Sequence, residues 1–119
     1  GYMLTLADGD ANVNLSSGGN TIGAHSGTQA SPTALAANKW GYAVANTGGF
    51  DGSYSAETNN TSSVSKWAGM PATGSPTQLK NTSGIATNDP TIVWYGVKAT
   101  SAQPNGTYSD TVTYTATTN

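Results

Sequence analysis

The sequence predicts an all-β domain of about 7–9 strands with long polar loops, a sandwich or a barrel. Three observations carry this. Short apolar runs alternate with polar residues at period two. Clusters of Gly, Pro, Asn and Ser separate those runs, and no segment sustains a helical period. The longest alternating run closes the chain: after Pro104-Asn105-Gly106, residues Tyr108, Asp110, Val112, Tyr114 and Ala116 share one parity. Thr107, Ser109, Thr111, Thr113, Thr115 and Thr117 share the other. Alternation across a strand turns the first row inward and the hydroxyl row to solvent, and Thr suits such a solvated face.

The remaining elements follow in order. Tyr2, Leu4 and Leu6 alternate with Met3, Thr5 and Ala7 in a first strand; Asp8-Gly9 is a tight-turn pair, and Val13 and Leu15 behind it suggest a hairpin. Residues 16–31 read as loop with one short strand near Thr21–Ala24, and Leu35–Ala37 as a helical turn after Pro32. Lys39–Ala45 is a strand with Trp40, Tyr42 and Val44 on one face and Gly41, Ala43 and Ala45 on the other. Residues 46–63 form a polar loop or short edge strands around Phe50 and Tyr54. Val64–Trp67 is a short strand stopped by Gly69-Met70-Pro71, and Gln78–Lys80 another inside a loop-rich passage. Thr91–Ala99 is a strand that the turn at Gln103–Gly106 returns into the closing one, as a hairpin. Of the two architectures, an immunoglobulin-like antiparallel β-sandwich filling 1–119 as a single domain is the expectation.

Composition narrows the function classes. Charged residues are 8% of the chain, against about 25% in an average soluble domain. Arg is absent, the net charge is −2, and Gly, Ser, Thr and Asn make up close to half the residues. Nucleic-acid binding needs clustered Lys or Arg, whereas Lys39, Lys66, Lys80 and Lys98 are scattered. A polybasic membrane patch fails for the same reason, and no apolar run is long enough to span a bilayer. The three Trp and six Tyr argue against disorder. Without cysteine there are no disulfides or thiolate metal sites.

Four segments carry a family resemblance: Leu35–Tyr42 (LAANKWGY), Lys66–Pro71 (KWAGMP), Trp94–Lys98 (WYGVK) and Gln103–Ala116 (QPNGTYSDTVTYTA). Their order and spacing resemble cell-surface and pilus-like β-sandwich domains of ultrasmall, host-associated bacteria of the Saccharibacteria type. The ending is also similar to the last strand of spore-coat-U-like fimbrial subunits, which closes an incomplete sandwich. The resemblance implies an extracellular, non-enzymatic surface protein, used structurally or adhesively in a filament or surface layer. Its partners would be further copies of itself or another surface protein. The alternative is a carbohydrate-binding module using exposed Trp residues.

The residues nominate few sites. Asp8, Asp10, Asn12 and Asn14 place oxygen side chains at alternate positions, as hard-cation loops do, and make a calcium candidate. An EF-hand-like loop would need Gly and Glu where Val13 and Gly19 stand, so a polar hairpin turn is the ordinary reading. Trp40 reads as core. Trp94 shares a parity with Lys98 and, if Val93, Tyr95 and Val97 face the core, points outward. Trp94, Lys98, Trp67, Thr111, Thr113 and Thr115 are therefore the candidates for contact with a partner or glycan. His25 is the single histidine, no Gly-x-Ser-x-Gly elbow is present, and the six acidic residues read as too dispersed for a glycosidase pair. No catalytic residue or cofactor is assigned. Lys39 and Lys98, with Asp110 or Asn119, are conceivable partners in an intramolecular amide, the ordinary reading being solvated lysines. Asn14, Asn59, Asn60, Asn81 and Asn105 open Asn-x-Ser/Thr triplets.

Overall fold

The structure, a computed structural model, describes residues 1–56 and 63–119. The triplets at Asn59 and Asn60 therefore lie outside the described residues. Nine strands and no helix are present among those described: β1 (Tyr2–Asp8), β2 (Leu15–Ser17), β3 (Asn20–Ala24), β4 (Thr33–Ala34), β5 (Lys39–Ala43), β6 (Lys66–Trp67), β7 (Thr77–Asn81), β8 (Trp94–Lys98) and β9 (Val112–Thr118). They form a three-stranded sheet in the order β7-β1-β9, a four-stranded sheet β2-β3-β5-β8 and a two-stranded β4-β6 pair. The all-β class holds. The sheets are not wholly antiparallel, however, because β3 runs parallel to β5, with Gly23 opposite Lys39 and Ala24 opposite Trp40. The residues between them, Pro32 and the short β4 included, give the chain room to cross over and return in the same direction.

Three local expectations are corrected. The segment after Asp8-Gly9 does not fold back on β1. It crosses to the other sheet, where β2 pairs with β3 around Gly18-Gly19, while β1 takes β7 and β9 as neighbours. Leu35–Ala37 is not a helical turn: Leu35 and Ala36 are irregular, and Ala37-Asn38 make the turn that leads into β5. β8 and the closing strand do not form a hairpin, since β8 pairs with β5 and β9 with β1.

The closing strand is also interrupted. Ser109 makes a bridge to Ser16 in the four-stranded sheet, and from Val112 onward the chain pairs with β1 in the three-stranded one. The sheet change falls at Asp110-Thr111. β1 and β9 then run in unbroken register from Asp8–Val112 to Tyr2–Thr118, and the Asn119 amide donates to the Gly1 carbonyl at 3.2 Å. The two chain ends lie side by side.

Both larger sheets contribute to one core of Leu6, Ile22, Trp40, Tyr42, Val44, Phe50, Met70 and Leu79. On the β5–β8 pair, Trp40 lies opposite Val97 and Tyr42 opposite Tyr95, while Gly41–Gly96 and Ala43–Trp94 occupy the other face. That second face is covered by Trp67. A Cβ on Gly96 would sit 3.0 Å from two atoms of the Trp67 ring, so the indole can lie flat on the strand only where residue 96 has no side chain. Edge-to-face contacts then run from Trp67 to Tyr54, Phe50 and Tyr42, with centroids 5.7, 5.9 and 5.9 Å apart. This chain of rings links the two faces of β5.

Candidate functional site

Two places hold the groups nominated from sequence. The first is the flank where β8 and β9 are both outermost strands of their sheets. Their outer backbone edges take no strand partner among the described residues. Side chains on this flank are large and poorly covered: Tyr95 is 47% exposed, Val97 56% and Tyr114 43%. The hydroxyls of Tyr95 and Tyr114 meet across the gap between the sheets. Burial, then this bond, raises the Tyr95 phenol above its usual value. Along the inner side of β9 runs an open groove of about 510 Å³ lined by Tyr2, Leu4, Asp89, Thr91, Val93 and Tyr114. Asp89 accepts from Lys80 and from the Tyr2 hydroxyl, and these bonds, Lys80 first, hold its carboxyl below the ordinary range.

The nominated contact residues fall unequally on this flank. Thr111, Thr113 and Thr115 are exposed, with Thr113 opposite Ala7 and Thr115 opposite Thr5. Lys98 is exposed at the end of β8. Trp94 shares the outer face with Gly96 as expected, but is half-buried and packs on the core. Trp67 is likewise half-buried, between Gly96 and Tyr54. The expected inner row of β9 is covered only as far as Val112; Tyr114 and Ala116 are exposed, Tyr114 beside the open groove.

The second place is the corner where the chain changes sheets twice. Leaving β1, it passes through residues 9–14 to β2; returning, it passes from Ser109 through Asp110-Thr111 into β9. The two crossings touch. The Gly9 amide donates to the Thr111 carbonyl at 2.7 Å, and a Cβ on Gly9 would stand 2.9 Å from that oxygen. A glycine is what lets them approach so closely.

Asp8, Asp10 and Asp110 come together here, one oxygen of each lying within 4.8 Å of the others. The six acidic residues are therefore not all dispersed. The Asp10 carboxylate accepts from the Asn12 amide at 2.7 Å, the Asn12 side chain from the Asn14 amide at 3.0 Å, and Asp110 Oδ1 from the Thr111 amide at 2.8 Å. Asp8 is 1% exposed, and neither of its carboxylate oxygens has a hydrogen-bond partner; nor has the buried Oδ2 of Asp110. Burial first, then the neighbouring Asp110 and Asp10, push the Asp8 carboxyl up to about 6. Sequence reading found Asp8, Asp10 and Asn12 but not Asp110 as their neighbour. The available signal was its parity, an acid on the otherwise apolar inward row of the closing strand.

His25 is occupied elsewhere. It is buried with Nε2 2.8 Å from Thr33 Oγ1, and Nδ1 accepts from the Ala36 amide at 3.4 Å, which puts the proton on Nε2. Asn119 donates to Asn81 Oδ1 and the Thr82 carbonyl, and Asp110 sits among carboxylates, so among the described residues the two conceived amide partners have other neighbours than a lysine.

Compared with protein-family models, curated proteins and solved structures, the chain gives no significant match.

Proposed function

We propose that the chain is a non-enzymatic structural subunit of a bacterial cell surface, of the filament or surface-layer kind, which assembles by adding its β9 edge to a second copy. The observation that carries this is β9 itself. It is seven residues long and outermost in its sheet, exposed at every position after Val112, and without a charge or proline. Proteins that must stay monomeric commonly guard such an edge with Lys, Pro or a bulge. An unguarded one offers a row of amides and carbonyls that an extended segment can satisfy.

The choice of a second copy rests on chemistry. The row Thr113, Thr115 and Thr117 is neutral and pairs with itself without repulsion, since hydroxyls can donate and accept. β8 is a second open edge on the same flank, so a copy added at one leaves the other free, the condition for open-ended growth. The finer reading, an immunoglobulin-like sandwich left incomplete between β8 and β9, agrees with two sheets sharing one core and the exposed Tyr95, Val97 and Tyr114 beside the gap. The glycan alternative has less support, because Trp67 and Trp94 are packed on the domain itself.

Light scattering and electron microscopy test the proposal. The wild-type chain should form oligomers or filaments that grow with concentration. Thr113→Lys with Thr115→Lys should return it to monomer, with stability changed by no more than about 0.5 kcal/mol, as for ordinary surface substitutions. A wild-type monomer at all concentrations would sink the assembly reading.

A further inference from the structure

The acidic corner poses an electrostatic problem that the protein's own groups leave open. Three carboxylates converge, and the most deeply buried of them, Asp8, has both oxygens unpartnered. A buried charge without a partner is costly. No lysine answers it, since the only ion pair among the described residues is Lys80–Asp89. Asp110, whose Oδ2 is unpartnered, lines a hollow of about 230 Å³ together with Asp10, Asn12, Asn14, Ser16 and Ser109 among others, and the Asp8 carboxylate stands within 4.8 Å of the Asp10 and Asp110 carboxylates there. Every side chain in that set offers oxygen, and neither histidine nor cysteine is near.

Such a donor set selects a hard cation. Zinc prefers nitrogen and sulfur. Magnesium demands near-ideal octahedral geometry, whereas calcium accepts six to eight irregular oxygen ligands at about 2.3–2.6 Å. Two ligands on opposite sides of a calcium ion thus stand about 4.6–5.2 Å apart, and the three carboxylates lie within 4.8 Å of one another. We propose that Asp8, Asp10 and Asp110 bind a calcium ion at this corner, with the Asn12 or Asn14 side chain and water completing its shell. The ligands come from two chain segments far apart in sequence, so this is not a loop site of the EF-hand kind. The ion would tie the crossing at residues 8–10 to that at 110–111, joining both sheets. This inference is independent of the assembly proposal.

Isothermal titration of the chelator-treated chain with calcium chloride tests it, together with its melting temperature in about 10 mM calcium chloride or in EDTA. If the dissociation constant lies near 10⁻⁴ M, as in weaker extracellular sites, that concentration should raise the melting temperature by about 11 °C, and EDTA should reverse the rise. Asp110→Asn, which keeps size and removes charge, should weaken binding at least tenfold. No binding heat and no shift for the wild type would overturn the proposal without reference to any variant. An equal response to magnesium chloride would overturn the assignment to calcium, and full retention of binding by Asp110→Asn would overturn the site.

Discussion

Asp8 shows how one side chain can be well placed for packing and badly placed for charge. As the last residue of β1 it lies opposite Val112, on the same face as Leu4 and Leu6. Register therefore drives its carboxyl inward whatever its polarity. With its carboxyl pushed up to about 6, from an ordinary value near 4, the folded chain holds a proton that the unfolded chain has lost. The sign follows from linkage: between about pH 4 and 6 the native state binds more protons, so stability falls as pH rises through that window. In EDTA, raising pH from 4 to 7 should lower the melting temperature by several degrees, an effect that Asp8→Asn should largely abolish. A flat wild-type profile would contradict this. The oxygen donors at 8, 10 and 12 were legible in the sequence because they lie close together in the chain. Asp110 was not, because nothing local in its strand says which neighbour lies across the corner.

At the scale of elements, most strands were legible and most pairings were not. β5 and β8 fall inside the segments whose alternation predicted them, and β1, β3 and β7 overrun the predicted strands by one residue at one end or both; period-two patterning records which residues face the core. Pairing depends on which strand lies alongside, and the chain here prefers distant partners: β1 takes β7 and β9 instead of β2. The turn signals at Asp8-Gly9 and Gln103–Gly106 marked real changes of direction, but the first leads into another sheet and the second only to the Ser109–Ser16 bridge, with the change of sheet following at Asp110-Thr111. A glycine in mid-strand carries similar ambiguity, and Gly96 shows what it can mean. The Trp67 indole lies on its face and is itself held by Tyr54, so it has little room to withdraw. Gly96→Ala should cost about 1–3 kcal/mol, the range for overpacking, or about 4–12 °C in melting temperature. Tryptophan fluorescence should shift to the red as the ring is displaced. An unchanged melting temperature would mean that Trp67 moves aside freely.

At the scale of the whole molecule, the domain is closed unevenly. Aromatic rings wrap β5 on both faces, whereas on the β8–β9 flank the two sheets meet through the exposed Tyr95 and Tyr114 hydroxyls. With so few charges, neither long-range repulsion nor steering governs encounters between copies. Association is left to shape and to backbone hydrogen bonds, which makes it insensitive to moderate salt.

The adjacent chain ends have a mechanical consequence. Because β1 and β9 are antiparallel with Gly1 bonded to Asn119, a pull applied between the two ends loads their ladder one rung at a time. Force then peels the pair like a zipper instead of shearing all its rungs together, and peeling needs far less force. The zipper runs from Tyr2–Thr118 to Asp8–Val112 and stops beside the acidic corner. In an optical trap gripping both ends, β9 should come away first in a low-force step. The rest should yield only at a higher force, one that rises in calcium chloride and drops in EDTA. A single high-force rupture, indifferent to either reagent, would show that the ends are not the weak line of the fold.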